Sequence, residues 1–172
     1  RVDIPSSSGL VKVLVIDADD DVRHSITSYL SGSGYIMCEA ADGESGLAMM
    51  ASEKPELVLC DLRMPELDGI NILKVIADAY PHVPIIVISG AGVMSDALEA
   101  LRLGASDYLI KPIIDLEVLE HAIERSLERY SLRRENLQYR NQLEQANREL
   151  KANLAVLEQD QQAGLQIQMK ML

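Results

Sequence analysis

The chain has 172 residues, and 48% of them are hydrophobic, so it can bury a core and wholesale disorder is excluded. Its formal net charge of −11 argues against a nucleic-acid partner, because binding a phosphate backbone requires clustered Lys and Arg. No apolar run approaches the length of a membrane span and no signal peptide precedes the first strand, so we expect a cytoplasmic protein with no membrane partner.

Short apolar runs alternate with helical patterns between residues 11 and 114. Because continuous runs rich in β-branched residues suit buried parallel strands, the sequence predicts an α/β fold, a doubly wound five-stranded parallel sheet. Cys38 and Cys60 lie inside two of these runs at no metal-binding spacing. They are interpreted as buried thiols in a reducing compartment, and a disulfide bond between them is left open as the alternative. The predicted strands are 11–16, 35–38, 57–60, 84–88 and 108–110.

A different pattern begins at Asp115, which is a suitable N-cap for a helix. From there to Leu172 the sequence contains no Pro and one Gly, Gly164, so we expect a single long helix that extends beyond the α/β domain. An interruption near residues 137–143 is left open, since a seven-residue repeat slips there. The stripe expected to pack on the sheet is Leu116, Leu119, Ile123 and Leu127.

Leucines recur every seven residues in the second half of this helix, at Leu143, Leu150 and Leu157. A polar Asn at a core position of such a repeat often specifies a parallel two-stranded coiled coil. The sequence therefore predicts a homodimer through this helix, and the alternative is a solvated helix that docks on another domain. The core positions between the leucines are Asn147 and Leu154 in one register, and Tyr139, Ala146 and Asn153 in the other.

Polar side chains follow the predicted strands at the points where those strands end. The first strand leads into Asp17, the third into Asp61, the fourth into Ser89 and the fifth into Lys111. Because ligands bind beyond the carboxyl ends of the strands in an open parallel sheet, these side chains are expected to share one site. The alternative for the segment from Asp17 to Asp21, which follows the first strand, is that its acids, Asp19 among them, only cap the next helix.

The chemistry that suits this set is phosphoryl transfer to a carboxylate. Asp61 would be the nucleophile, because a carboxylate needs no general base at neutral pH. A hard divalent cation, Mg²⁺, would offset the charge with oxygen ligands from nearby aspartates. Lys111 would pair with one phosphoryl oxygen, and Ser89 would donate a hydrogen bond to another.

These residues resemble the receiver domain of bacterial response regulators over about residues 10–128. The resemblance implies that Asp61 accepts a phosphoryl group from a histidine kinase or a small phosphodonor. It also implies that Ser89 and Tyr108 form a switch pair, and that the Lys111–Pro112 bond is often cis. The motifs that carry it are Val-Ile-Asp17, Asp61-Leu-Arg-Met-Pro65, Asp68-Gly69, Ser89-Gly90 and Asp107-Tyr-Leu-Ile-Lys111-Pro112.

One departure from the receiver pattern concerns the metal site. The family normally carries two adjacent acids after the first strand, and here the pair reads Asp17-Ala18. The resemblance leaves Asp17, Asp61 and the backbone carbonyl of Arg63 as metal ligands, with Asp19 as a further candidate. We therefore expect weaker Mg²⁺ binding, and a receiver that works largely unphosphorylated is the alternative.

A closer resemblance, to RssB-type response regulators, is carried by residues 89–96, 144–150 and 160–172. In that group a helical linker joins the receiver to a metal-dependent serine/threonine phosphatase-like output domain. The expected organisation is a disordered leader (1–9), a receiver (10–128) and an extended helix or coiled-coil linker (129–172) that leads to an output domain outside this chain.

The function expected from these features is a two-component receiver in σ-factor or stress signalling. The alternative is an adaptor that binds a σ factor or an anti-σ antagonist without phosphorylation. Enzymatic activity within this chain would be limited to self-phosphorylation and autodephosphorylation, because any phosphatase activity would belong to the output domain.

Overall fold

Alternating strands and helices build the first part of the chain. The structure is a computed structural model, and it describes residues 10–64, 69–90 and 94–171; the predicted leader lies outside these ranges. The strands are β1 (Lys12–Ile16), β2 (Ile36–Ala40), β3 (Leu57–Asp61), β4 (Ile85–Gly90) and β5 (Asp107–Lys111). The helices are α1 (Asp20–Gly32), α2 (Gly43–Glu53), α3 (Gly69–Ala79), α4 (Met94–Arg102) and α5 (Leu116–Met171).

All four strand pairs are parallel, and the sheet order is β2-β1-β3-β4-β5. This is the flavodoxin-like strand order, and the predicted doubly wound five-stranded parallel sheet is confirmed. The direction of winding reverses between β1 and β3, and the crevice outside the carboxyl ends of those strands is where such folds bind ligands. Asp17 follows β1 and Asp61 ends β3, so both acids lie at this crevice.

Successive residues of the three central strands point to opposite faces of the sheet and enter two separate core clusters. The first cluster joins the sheet to α2, α3 and α4 and includes Leu14, Val58, Met50, Ile72 and Ala100. The second joins the sheet to α1 and α5 and includes Val13, Leu59, Ile26, Leu119 and Ile123. The predicted α5 stripe is confirmed, since Leu116 and Leu127 also pack against the second cluster.

The predicted strands differ from the observed ones in two respects. β2, β3, β4 and β5 extend into polar residues, because ladder pairing uses backbone groups and does not stop where hydrophobic side chains end. Burial on both faces is wrong for β2 and β5, whose residues are mostly half-buried. These two strands lie at the edges of the sheet, where each has only one neighbouring strand.

The helix α5 is unbroken from Leu116 to Met171, through both residues 137–143 and Gly164. The chain divides into two compact units, one ending at Ser131 and the other beginning at Leu132. The residues of the second unit are exposed from Leu132 to Leu165. No helix in the described ranges is long and apolar enough to cross a membrane. The coiled coil remains a prediction.

Candidate functional site

The ends of β1, β3 and β5 bring two carboxylates and one ammonium group together. Lys111 Nζ lies 2.6 Å from Asp17 Oδ2 and 3.1 Å from Asp61 Oδ2. The side chains of Asp17 and Asp61 are only 4% and 9% exposed, so water screens these charges weakly. The structure therefore assembles at one edge of the sheet three residues that the sequence placed at separate strand ends.

Backbone amides orient both carboxylates. The second oxygen of Asp61, Oδ1, accepts a hydrogen bond from the Arg63 N–H at 3.0 Å. In the same way Asp17 Oδ1 accepts from the Asp19 N–H at 2.9 Å. Each carboxylate thus has one oxygen held by the amide two residues later and the other held by Lys111, which leaves little rotational freedom for either side chain.

Burial and charge act in opposite directions on the acid–base properties of the site. Burial raises the pKa of Asp61 above its ordinary value, and this outweighs the hydrogen bonds from Arg63 and Lys111 that favour the carboxylate. Burial lowers the pKa of Lys111, but its hydrogen bonds to Asp17 and Asp61 and their charges outweigh that effect, so the pKa is raised. Lys111 therefore stays protonated at neutral pH.

The predicted switch residues lie on one side of Asp61 in the sheet: Ser89 is on the neighbouring strand β4, and Tyr108 is on the edge strand β5 beyond it. Ser89 is 1% exposed, and among the described residues its hydroxyl makes a long contact, 3.5 Å, to the Gly90 carbonyl. Asp61 pairs with Ile88 in the ladder, so Ser89 lies one residue beyond that pair. Tyr108 packs against the first core cluster, and its buried hydroxyl has no hydrogen-bond partner in the part of the chain that the structure describes.

The acidic segment after β1 has two roles. Asp19 is the N-cap of α1, where its Oδ1 accepts from the N–H groups of Asp21 and Val22, so the capping alternative is confirmed for this residue. Asp17 is turned instead towards Lys111. Asp19 as a metal ligand remains a prediction, and the cap already uses one of its oxygens.

Arg23 is a residue of this region that the strand-end pattern does not predict. Its guanidinium is buried, at 8% residue exposure, and donates to the backbone carbonyl of Asp17 at 2.7 Å. It also contacts Asp20 and Glu39. The sequence did contain a signal, because a cation so near a helix N-terminus opposes the helix dipole and needs a compensating partner.

Arg63 contributes to the site through its backbone. Its amide holds Asp61, while its side chain is exposed and lies 3.4 Å from Asp96 in the first turn of α4. Met64 packs at the rim of the first core cluster, whereas Pro65 and Asp68 of the same motif lie outside the described residues. The Lys111–Pro112 peptide bond is cis.

The two cysteines are free, and Cys60 is buried beside the site. Burial, reinforced by the charges of Asp61 and Asp17, raises the pKa of the Cys60 thiol to about 12. Such a thiol is not a nucleophile at neutral pH. The interpretation of these cysteines as thiols is confirmed, although Cys38 is only half-buried.

The donors present can be compared with what a divalent cation requires. No group of three His, Cys, Asp or Glu side chains suited to a metal stands together among the described residues. Mg²⁺, however, is commonly held by one or two carboxylates and keeps several waters. Asp17 and Asp61 supply two carboxylates and so meet that requirement, and Ala18 supplies no third. The residues therefore fit Mg²⁺ with two side-chain ligands.

Comparison with known proteins agrees with this geometry. The family model "Response regulator receiver domain" matches residues 13–124. The chain is 40% identical over 121 residues to "Transcriptional regulatory protein ZraR" of Salmonella typhimurium, which covers 69% of this chain and 27% of that protein. It is 34% identical over 136 residues to "Putative response regulator NtrX-like" of Rickettsia bellii, covering 78% and 28%. The chain thus spans about a quarter of the length of these relatives.

Solved structures share the fold. NtrX from Brucella abortus superposes with a TM-score of 0.70 at 34% identity, over 73% of this chain and 29% of that one. A CheY-like receiver from Methanospirillum hungatei superposes with a TM-score of 0.69 at 26% identity, over 73% of this chain and 99% of that one. The matched motifs, the sheet order and the acidic site all agree, and the chain belongs to the response regulator receiver domain family.

Proposed function

We propose that this two-component receiver accepts a phosphoryl group on Asp61 and controls an output domain through a dimerising C-terminal helix. The observation that carries the proposal is the Lys111 ammonium group, which contacts both Asp17 and Asp61 at the carboxyl edge of the sheet. A buried carboxylate beside a fixed cation suits attack on a phosphoryl group, because the cation offsets the charge that accumulates there.

The transfer needs no proton from the protein. A carboxylate oxygen of Asp61 forms a bond to phosphorus while the bond from phosphorus to the donor breaks, and the donor leaves with the bonding electrons. The donor is a phosphohistidine of a histidine kinase or a small acyl phosphate. Lys111 then pairs with a phosphoryl oxygen, and the Ser89 hydroxyl, whose contact to the Gly90 carbonyl is long, donates to another.

Asp17, Asp61 and the backbone carbonyl of Arg63 would hold Mg²⁺ in this function, with Asp19 as a further candidate. When bound, the cation offsets the negative charge of the carboxylate and phosphoryl oxygens that meet at the site. Asp17 and Asp61 are already oriented by the Asp19 and Arg63 amides, so they can bind a cation without first being ordered.

The C-terminal helix is the proposed connection to the output domain. Leu143, Leu150, Leu154 and Leu157 are between 51% and 70% exposed, and a second copy of the helix would cover them. Asn147 lies among them at a core position, which favours a coiled coil of two parallel helices.

The tail at residues 160–172, similar to RssB-type regulators, supports a phosphatase-like output domain and σ-factor or stress signalling. The free thiols suit the reducing cytoplasm.

The test is the intact mass of the protein after incubation with acetyl phosphate and Mg²⁺. The wild type is expected to gain the mass of one phosphoryl group, whereas Asp61→Ala should gain none. Asp96→Ala, which removes a half-buried carboxylate that pairs with the Arg63 side chain, is the matched control and should still form the adduct. An adduct on Asp61→Ala equal to that on the wild type would contradict the proposal.

A second candidate function rests on Ala18. Without the adjacent acid the metal site has fewer ligands, so the receiver could bind a σ factor or an anti-σ antagonist whether or not Asp61 is phosphorylated. Ala18→Asp separates the two candidates. If the adaptor function is right, the wild type forms no adduct and Ala18→Asp restores one together with stronger Mg²⁺ binding. If the phosphorylated receiver is right, the substitution changes adduct formation little.

A further inference from the structure

We propose that Arg23 is a positioning residue of the phosphoryl-transfer site, which holds the segment after β1 so that the Asp17 carboxylate faces Lys111 and Asp61. The inference rests on the proposed function and extends it to a residue outside the receiver motifs described above. Arg23 touches neither Lys111 nor Asp61 in the contacts that define the site, so any effect on the reaction passes through Asp17.

Two hydrogen bonds and one longer ion pair hold the guanidinium. Nη1 donates to the Asp17 backbone carbonyl at 2.7 Å, Nη2 lies 2.5 Å from Asp20 Oδ1, and Nε lies 3.5 Å from Glu39 Oε1. Its partners therefore come from the end of β1, the first turn of α1 and the strand β2. A planar fork with several donors can reach three such groups at once, whereas the single ammonium of lysine cannot hold them in the same geometry.

The charges around Arg23 explain why the residue can be buried. Its side chain is 10% exposed, and two carboxylates, Asp20 and Glu39, lie on either side of it. They offset the cost of removing a cation from water. Arg23 donates to the backbone carbonyl of Asp17, whereas the carboxylate of Asp17 accepts from the Asp19 N–H and from Lys111. The carboxylate of Asp17 consequently remains available to Lys111 and to a cation.

The alanine at position 18 makes this positioning more important. Asp17 is the residue through which the segment after β1 contacts Lys111, since Ala18 has no carboxylate and Asp19 caps α1. The backbone of Asp17 is held on one side by its N–H, which donates to the Ala40 carbonyl at 3.1 Å, and on the other by Arg23 at its carbonyl. Loss of Arg23 would release the second of these anchors.

The experiment compares Arg23→Met and Arg23→Lys with the wild type. Mg²⁺ binding to the unphosphorylated protein is followed by titration calorimetry, and the Asp17 carboxyl ¹³C signal is recorded without metal. For Arg23→Met we expect a displaced Asp17 signal and about tenfold weaker Mg²⁺ binding, the usual effect of removing a group that orients a metal ligand. Arg23→Lys keeps the buried charge, so its Mg²⁺ affinity should lie between those of the wild type and Arg23→Met. If Arg23→Met does not fold, Arg23→Lys alone is compared with the wild type.

Kinetics with acetyl phosphate separate positioning from general damage. The Mg²⁺ concentration for half-maximal rate should rise about tenfold in Arg23→Met, while the rate at saturating Mg²⁺ stays within a factor of two. Arg102→Met, which removes an exposed guanidinium from the same compact unit, is the matched control and should behave as the wild type.

Two results would overturn the inference. The first is that both Arg23 variants keep the Asp17 ¹³C signal and the Mg²⁺ affinity of the wild type. The second is that the maximal rate falls while the Mg²⁺ concentration for half-maximal rate stays the same. Failure of the proposed function looks different, because a wild type that binds Mg²⁺ but forms no adduct contradicts phosphorylation and leaves the binding comparison intact. A wild type that binds no Mg²⁺ would remove both the metal and the role of Arg23.

Discussion

At the scale of single residues, burial of Asp61 disfavours its charged form, and the contacts of its carboxylate favour that form. Asp61 is removed from water by its position at the end of β3, and Lys111 and the Arg63 amide compensate only in part. A phosphoryl group on Asp61 would carry more negative charge than the carboxylate it replaces, so the ammonium group of Lys111, 3.1 Å from Asp61 Oδ2, is needed to offset that charge at a poorly solvated position.

The raised pKa of Asp61 predicts how the stability of the protein depends on pH. A carboxyl group whose folded-state pKa lies above its ordinary 3.8 contributes stability that is present below 3.8 and is lost as the pH rises through the folded-state pKa. Asp61→Asn, which resembles the protonated form, should therefore be more stable than the wild type at pH 7. The difference should shrink as the pH falls towards the folded-state pKa, which urea unfolding at pH 7, 6 and 5 would measure. A variant less stable than the wild type at pH 7 would contradict this.

At the scale of elements, the connections between strands and helices position the site. The connection from β3 to α3 brings Gly69 against the strand end, where its N–H donates to the Leu62 carbonyl at 3.0 Å. A second contact region joins the start of β5 to α5, where Ser106, Asp107 and three residues of α5 form hydrogen bonds. Both regions lie where the chain enters or leaves a strand that carries a site residue.

Gly69→Ala is expected to damage both stability and the site. A Cβ at this position would overlap the backbone of Asp61 and Leu62, which cannot move as a flexible side chain can. We expect a loss of about 2 kcal/mol in the free energy of unfolding and slower adduct formation on Asp61. Gly32→Ala, at the end of α1 with no atom within 4 Å of the added Cβ, is the control and should be neutral or slightly stabilising. Equal unfolding midpoints for the two variants in urea would contradict the packing argument.

The contact between β5 and α5 includes a pair of hydroxyl groups. Ser126 is 1% exposed, and its Oγ lies 2.8 Å from Ser106 Oγ. Ser126→Ala should lower the free energy of unfolding by about 1 kcal/mol, because the Ser106 hydroxyl then lacks its partner. The double variant with Ser106→Ala should cost less than the sum of the single ones. Ser131→Ala, an exposed position in the same helix, is the control, and strictly additive losses would argue against the pair.

At the scale of the whole molecule, the chain consists of two compact units with different surfaces. The unit ending at Ser131 contains two clusters of buried hydrophobic side chains, whereas the described part of the helical unit from Leu132 exposes leucines along its length. An exposed row of leucines is costly in water and is typical of helices that associate.

Dimerisation through this helix is tested by one substitution at a core position of the predicted coiled coil and one at a neighbouring position outside the core. Leu157→Glu should weaken the dimer about tenfold or more, because it replaces a core leucine in both copies. Val156→Glu makes a comparable change at an exposed position outside the heptad core and should leave the dimer intact. Light scattering over a range of protein concentrations measures both. A wild type that is monomeric at micromolar concentration would contradict the coiled coil.

Much of the fold and part of the site could be predicted from local pattern. The β-branched runs and the three- and four-residue spacing of apolar side chains determine strands and helices, because each depends on a few neighbouring residues. The same apolar runs predicted which polar residues follow the strands, namely Asp17, Asp61, Ser89 and Lys111. Edge strands were not distinguished from central ones, since an edge is a property of the sheet order and not of the run itself.

The sequence by itself thus determined the α/β class, the acidic residues at the strand ends and the long helix after Asp115. Only the tertiary structure decided that Lys111 contacts two carboxylates, that Arg23 holds the Asp17 carbonyl, and that the Tyr108 hydroxyl is buried. The physical reason is distance along the chain. Lys111 is 94 residues from Asp17, and their contact exists only because β1, β3, β4 and β5 are neighbours in one parallel sheet whose carboxyl ends meet at the same edge.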